Sequence, residues 1–143
     1  MERPYTGPRM DAASEVVFMK NADYHAQVRY VRAWGLRPEG EEILLGNCRP
    51  EVVMAFIENH CLQSENEVRL IKRRDMRLIQ KYVGKYPLSR EAQEFMVKNG
   101  RKEDLLCMLR TKYPLYPDVA MMLAERGEGL FEAYLSPNKM RVV

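Results

Sequence analysis

The stretch that decides the fold is Glu15-Val-Val-Phe-Met-Lys-Asn-Ala-Asp23, because it recurs without gaps as Glu67-Val-Arg-Leu-Ile-Lys-Arg-Arg-Asp75. The two copies lie 52 residues apart, and the match continues from Tyr30-Val31 onto Tyr82-Val83. Similarity at a fixed spacing is the sequence signature of a repeat architecture. The length of one unit therefore has to be settled first.

Half of that distance also produces a match. Leu44-Leu45 aligns with Leu70-Ile71, and Phe56-Ile57 aligns with Tyr82-Val83. The period is therefore about 26 residues, with a fourth unit longer by one residue. The predicted units are 10–35, 36–61, 62–87, 88–114 and 115–140, and a flexible N-terminal extension is predicted over 1–9.

Each unit has the pattern of two short helices. In the second helix the apolar positions recur at i, i+1, i+4 and i+5, as in Leu78, Ile79, Tyr82 and Val83, which places one apolar stripe on the helix. A unit of this size cannot bury such a stripe alone, so neighbouring units are expected to stack. Truncation of Leu78 should therefore be costly.

Capping and breaking residues fit the predicted helix ends. The N-cap candidates of the first helix are Ser14, Ser64, Ser89 and Asp118, and those of the second helix are Asp23 and Asp75, with Pro50 at an equivalent start. Asn99-Gly100 and Gly127-Glu-Gly129 are expected to form turns with positive φ at glycine. Pro87 and Pro114 end the second helices.

The consensus Glu67-Val68-x-Leu70-Ile71, followed by Asp75-x-x-Leu78-Ile79-x-x-Tyr82, resembles the short α-helical repeats of HEAT-like and leucine-rich-repeat-variant proteins. The resemblance covers about 130 residues. It implies an all-α, right-handed α-solenoid of about five stacked helix pairs. It also implies a binding scaffold, since such solenoids serve mostly to bind very different partners.

Aromatic residues follow the same register. Tyr30, Tyr82 and Tyr134 share one repeat position with Phe56 and Leu109, which indicates packing and not a surface platform for bases or prolines. Trp34, Tyr86 and Tyr113 share a second position, which is predicted to pack at the corner between units; His60 lies at the same position.

Composition narrows the class of protein. The chain has 143 residues, of which 46% are hydrophobic and 30% are charged, as expected for a folded domain. No apolar run approaches the roughly 20 residues of a membrane span, and the N-terminus lacks a secretory apolar stretch. These features predict a cytoplasmic protein that does not enter a membrane. The net charge of +3 indicates no particular partner.

Charge is unevenly distributed between the units. Residues 62–87 contain seven Lys or Arg against three Asp or Glu, a net charge of +4. The candidate residues for contact with an anionic partner are Arg73, Arg74, Arg77, Lys81 and Lys85. They form either a ridge that binds an acidic peptide or nucleic acid, or a solvated helix face balanced by acidic residues of the preceding unit.

No catalytic constellation is visible. His25 and His60 occupy different repeat positions, and Cys48, Cys61 and Cys107 are odd in number and widely spaced. We therefore predict no catalytic residue, no metal and no cofactor. The predicted function is a non-enzymatic scaffold that binds a protein or peptide on its second helices. The alternative is a nucleic-acid-binding solenoid that uses the basic third and fourth units.

Overall fold

The structure, a computed structural model, describes residues 5–135 of the chain. These residues form ten α-helices and no strand, so the all-α prediction is confirmed for the described part of the chain. The helices are α1 (Ala12–Asn21), α2 (Tyr24–Trp34), α3 (Pro38–Asn47), α4 (Pro50–Ile57), α5 (Ser64–Lys72), α6 (Met76–Lys85), α7 (Arg90–Asn99), α8 (Lys102–Leu109), α9 (Pro117–Arg126) and α10 (Leu130–Leu135). Residues 136–140 of the fifth predicted unit lie outside the described residues.

The chain divides into two compact units, and the boundary in the sequence falls between Arg69 and Leu70. In the first unit, α1 packs against α3 and α2 packs against α4, so helices of equivalent position in two successive pairs lie side by side. Its fully buried side chains include Met19, Tyr30, Leu44, Phe56 and Ile57. On each helix, apolar residues that recur about every four positions form one stripe, and these stripes supply the core.

The second unit repeats the same kind of packing. Here α6 packs against α8, α7 packs against α9, and the short α10 contacts both α8 and α9. Leu78, Ile79 and Tyr82 of α6 are buried, as the stripe in the sequence predicts. Leu105 of α8 and Leu123 of α9 are also fully buried.

Helix caps follow the prediction at three sites and depart from it at the start of α1. The side chains of Asp23, Asp75 and Ser89 each accept a backbone N–H at the start of their helix. At α1 the predicted cap, Ser14, is wrong: Asp11 is the N-cap, and its carboxylate accepts the N–H of Ser14 at 2.8 Å. A carboxylate at the N-cap also interacts favourably with the helix dipole.

Two further expectations need correction. Asp118 is not the N-cap of α9, because the helix begins at Pro117, which has no backbone N–H that would need an acceptor in the first turn. Gly100 has a φ of −73°, so the predicted positive φ is wrong there, whereas Gly127 has a φ of 81°. Gly100 is needed for a different reason: a Cβ at this position would lie 2.5 Å from the carbonyl oxygen of Met96.

The prediction for the aromatic residues is right at one repeat position and wrong at Trp34. The hydroxyl-bearing position predicted to pack is buried at Tyr30 and Tyr82, and half-buried at Tyr134. Trp34 is 40% exposed, so corner packing is wrong for this residue. Its indole N–H donates to the carbonyl of Gly7 at 3.2 Å, and the ring of Tyr5 contacts that of Tyr30, so described residues of the N-terminal extension lie against α2.

Candidate functional site

The basic residues proposed from the sequence lie around the start of α6 and along it. Arg73 and Arg74 form the turn between α5 and α6, and Arg77, Lys81 and Lys85 follow within α6. The last three are spaced by four residues, so they share one face of the helix, and all three are exposed. Arg73 is half-buried, and Arg74 has a φ of 59°.

The pairing of these cations differs from that of basic residues farther along the chain. Within residues 5–135, no ion pair engages the side chain of Arg77 or Lys81. Arg90 instead pairs with Glu94 and Asp118, and Arg101 pairs with Asp104 at 3.0 Å. The fourth predicted unit therefore offers fewer available cations than its charge suggests. Arg77 and Lys81 remain open to solvent.

A groove of about 400 Å³ lies between α6 and α8. It is lined by Gln80, Val83 and Gly84 of α6, by Cys107 of α8, and by Arg110 and Lys112 after it. We call this the α6–α8 groove. Gly84 forms an open part of it, since a Cβ there would meet no atom within 4 Å. Cys107 lies 3.5 Å from the sulfur of Met76, which places its thiol against the helix pair.

Basic residues predominate in the chain segments that line the α6–α8 groove, although α8 also carries Glu103 and Asp104 in its first turn, and the charge of Asp104 reaches Cys107. Residues 76–87 and 105–117 contain Arg77, Lys81, Lys85, Arg110 and Lys112 and no acidic residue. Arg77 lies in the first turn of α6, where the helix dipole disfavours a cation. Helix stability therefore does not account for a basic residue at that position. These five side chains make the surface around the groove basic.

A second groove, of about 320 Å³, lies at the loop before α9. It is mainly apolar and is lined by Pro87, Leu88, Tyr113, Pro114, Tyr116 and Pro117. Gln93 uses its amide on the loop itself, accepting from the N–H of Tyr116 at 3.0 Å and donating to the carbonyl of Pro114 at 3.3 Å. This groove presents no charge that would select a ligand.

Glu15 is a buried carboxylate that sequence reasoning treated only as part of the repeat. Its oxygens accept the hydroxyl of Tyr30 at 2.7 Å and the backbone N–H of Arg37 at 2.9 Å. Burial and this contact raise the pKa of Tyr30 to about 12. The Tyr30 hydroxyl in turn accepts the N–H of Met10 at 3.0 Å. The hydrogen bonds of the Glu15 carboxylate are therefore made within the protein, and they position the backbone at Arg37.

The same position is polar and buried in successive helix pairs. Glu15, Glu41, Glu67 and Gln93 are spaced by 26 residues and are all buried. Glu41 accepts the backbone N–H of Gln63 at 3.0 Å and the amide of Asn66 at 2.9 Å. Glu15, Glu41 and Gln93 hold the start of the next helix pair and serve packing.

His60 is half-buried, and its buried Nε2 is the side-chain polar atom without a hydrogen-bond partner in the described residues. Burial lowers the pKa of His60, and the positive charge of Arg9 acts in the same direction. The ring lies against Gly35, where an added Cβ would come within 2.9 Å of Nδ1. A neutral packing histidine fits this site better than a proton-transfer group.

The cysteines and acidic residues do not converge. Cys48 is buried, Cys61 is exposed and Cys107 is half-buried, and none forms a disulfide within the described residues. In the same part of the chain no group of three His, Cys, Asp or Glu side chains is placed to hold a metal ion. No helix between residues 5 and 135 is long and apolar enough to cross a bilayer.

Comparison with protein-family models, with curated proteins and with solved structures found no match for this chain. The candidate site therefore rests on its own geometry.

Sequence reasoning missed the far wall of the α6–α8 groove. Arg110, Lys112 and Cys107 belong to the fourth predicted unit, while the candidate residues were confined to the third. The available signal was the absence of acidic residues from both 76–87 and 105–117. Equivalent helices of a repeat lie side by side, so two such segments could have been paired from the register alone.

Proposed function

We propose that this protein is a non-enzymatic α-helical repeat scaffold that binds a protein or peptide on the surface of its second helices. Its five helix pairs stack as a right-handed α-solenoid. The observation that carries the proposal is the α6–α8 groove, which is open at Gly84 and lies between the second helices of two successive pairs.

The use of the buried polar groups supports a scaffold. Glu15, Glu41 and Gln93 each accept a backbone N–H at the start of the following helix pair. Hydrogen bonds of this kind fix the spacing of one pair on the next without leaving a polar group poised for chemistry. The buried polar atoms thus serve stacking, and the exposed second helices are left for binding.

The groove has the dimensions of a peptide side-chain site. A volume of about 400 Å³ with Val83 and Cys107 on its walls offers apolar contact as well as charge. Nucleic acid is the second candidate, favoured by the exposed Arg77 and Lys81 that no ion pair engages in the described chain. A phosphate track needs several such cations in succession, and Arg90 and Arg101 are already paired.

The test is a selection from a displayed random-peptide library against the full chain, followed by amide chemical-shift mapping of the enriched peptides. Peptides that bind and shift resonances of α6 and α8 support the scaffold function. A selection with no enrichment, together with strong and steeply salt-dependent binding of an oligonucleotide, replaces it with the nucleic-acid reading.

A further inference from the structure

We propose that the α6–α8 groove binds an acidic segment of a partner peptide, with a Glu or Asp side chain inserted over Gly84 and its carboxylate held by Arg110 and Lys112. The proposal rests on the proposed function and deepens it by naming the class of partner. Charge complementarity commits it to a peptide carboxylate.

Gly84 supplies the space. It lies inside α6, where glycine is less favourable than alanine because it orders a more flexible backbone. A Cβ here would meet no atom within 4 Å, so packing within the described chain does not require glycine. Its φ is also not in the left-handed region. Neither close packing nor a positive φ therefore requires glycine at position 84. Its lack of a side chain leaves the wall of the groove open to a ligand.

The polar groups of the far wall leave its two cations available. The hydroxyl of Thr111 donates to the carbonyl of Met108 at 2.9 Å, and the backbone N–H of Arg110 caps α8 on the carbonyl of Leu106. Within residues 5–135 the Arg110 guanidinium has no ion pair, and Lys112 contacts only the face of a tyrosine ring. Both charges can therefore meet an incoming carboxylate.

The surroundings set the sign of the partner. Arg77, Lys81 and Lys85 lie on α6, and the carboxylate of α8 that reaches Cys107, Asp104, is buried and already paired with Arg101. A basic peptide would be repelled, and a neutral one would leave the cations of the wall without a counter-charge. An acidic peptide in the groove also covers Val83, a lining residue that is only 4% exposed, so charge and not apolar contact decides the partner.

Binding is measured by fluorescence anisotropy with the full chain and three labelled probes: a hexaglutamate peptide, a hexaglutamine peptide and a short single-stranded DNA. We expect the hexaglutamate peptide to bind and the hexaglutamine peptide to bind at least about tenfold more weakly. The double variant Arg110→Ala/Lys112→Ala should lose at least about tenfold in affinity for hexaglutamate. Lys20→Ala, an exposed cation of α1, is the matched control and should change nothing.

Occlusion of the groove gives a test that leaves charge untouched. Gly84→Leu should abolish hexaglutamate binding, because its side chain occupies the open space. Gly46→Leu places the same residue at another exposed glycine within a helix, also with no atom within 4 Å of the added Cβ, and should bind normally. Matching thermal unfolding of the two variants shows that both remain folded.

Cys107 reports where the peptide lies. Bound hexaglutamate should slow alkylation of Cys107, which lines the groove, and leave that of the exposed Cys61 unchanged. Hexaglutamate that binds without protecting Cys107, or that binds Gly84→Leu as well as the parent, overturns the proposal.

The probes separate this inference from the proposed function. If library-selected neutral peptides bind at α6 and α8 while hexaglutamate does not, the acidic partner is wrong and the scaffold function stands. If the DNA binds, both peptides fail and the library selection enriches nothing, the inference and the proposed function are both overturned.

Discussion

The carboxylate of Glu15 accepts the backbone N–H of Arg37 at 2.9 Å, which joins the first turn of α1 to the N-cap residue of α3. Glu41 holds Gln63 in the same way at 3.0 Å. Because both acceptors are buried, water cannot replace them if they are removed. The contact between successive helix pairs is therefore polar as well as apolar.

Replacement of Glu41 by alanine should lower the free energy of unfolding by about 1–3 kcal/mol, since it leaves the N–H of Gln63 and the amide of Asn66 without an acceptor. Glu41→Gln should be tolerated, because Gln93 performs the same task in a later pair. Denaturant unfolding of both variants at neutral pH measures the difference. Equal losses in the two variants would show that the acceptor is not what matters.

The pH dependence of Glu41 supplies a second prediction. Burial raises the pKa of Glu41 above its ordinary value of 4.5. The folded state then binds the proton more tightly than the unfolded state, so this contribution is present at low pH and is lost as pH rises through the folded pKa. Relative to the parent, Glu41→Gln should therefore gain stability as pH rises from 4.5 toward neutrality. A constant difference across that range contradicts the assignment.

Leu78→Ala should cost roughly 2–5 kcal/mol of unfolding free energy, because Leu78 is fully buried in α6 and its truncation leaves a cavity. Leu135→Ala removes the same atoms from a side chain that is 60% exposed and should cost less than about 0.5 kcal/mol. Thermal or denaturant melts compare the two. Similar melts for Leu78→Ala and the parent would mean that the apolar stripe is misplaced.

His60 should make the protein less stable as pH falls below about 6.5. Its pKa is lowered by burial, so the folded state resists protonation and stability drops once the unfolded state takes up the proton. His60→Gln should flatten the melting temperature between neutral and mildly acidic pH. His25→Gln is the matched control at the exposed second histidine and should retain the fall. If the melting temperature of His60→Gln still falls at mildly acidic pH, other titratable groups cause the decrease.

Arg77→Glu/Lys81→Glu should leave the melting temperature nearly unchanged, since both side chains are exposed and off the apolar stripe. The reversal should weaken binding of an acidic peptide and flatten its salt dependence. Anisotropy titrations at low and moderate salt provide the measurement. If the parent protein shows no salt-sensitive binding to any polyanion, Arg77 and Lys81 belong to a solvated helix face and not to a binding site.

Gly35→Ala should destabilise the fold by more than about 1 kcal/mol, because Gly35 has a φ of 68° and the new Cβ would meet the His60 ring. A melt of the double variant Gly35→Ala/His60→Ala separates the two causes. If the double variant loses less stability than the sum of the two single variants, the clash with the His60 ring contributes to the cost. If the losses add, backbone strain at residue 35 accounts for it.

The helices could be predicted from the sequence because their signals are local. The stripe of Leu78, Ile79 and Tyr82 and the caps at Asp23 and Asp75 depend on residues close together in the chain. Shifts of one turn, as from Ser14 to Asp11, arise because several residues near a helix start can cap it.

The buried carboxylates and the groove could not be predicted in the same way. Glu15 and Glu41 look like surface residues, since glutamate is rarely buried unless it has partners, and their partners lie 22 residues farther along. The far wall of the α6–α8 groove likewise depends on which helices meet. Trp34 is exposed because its hydrogen bond to Gly7 holds the indole at the surface, which no periodicity encodes.

The hydrogen bonds from Glu15, Glu41 and Gln93 end on backbone N–H groups of Arg37, Gln63 and Tyr116, which lie at or next to helix starts, where amides ordinarily exchange quickly with solvent. Each of these amides should exchange slowly for as long as its own junction stays closed. The hydrogen-exchange rates of these three amide protons therefore report separately on the opening of three contacts between successive helix pairs. Their rates would reveal whether the chain loosens one helix pair at a time or opens all at once.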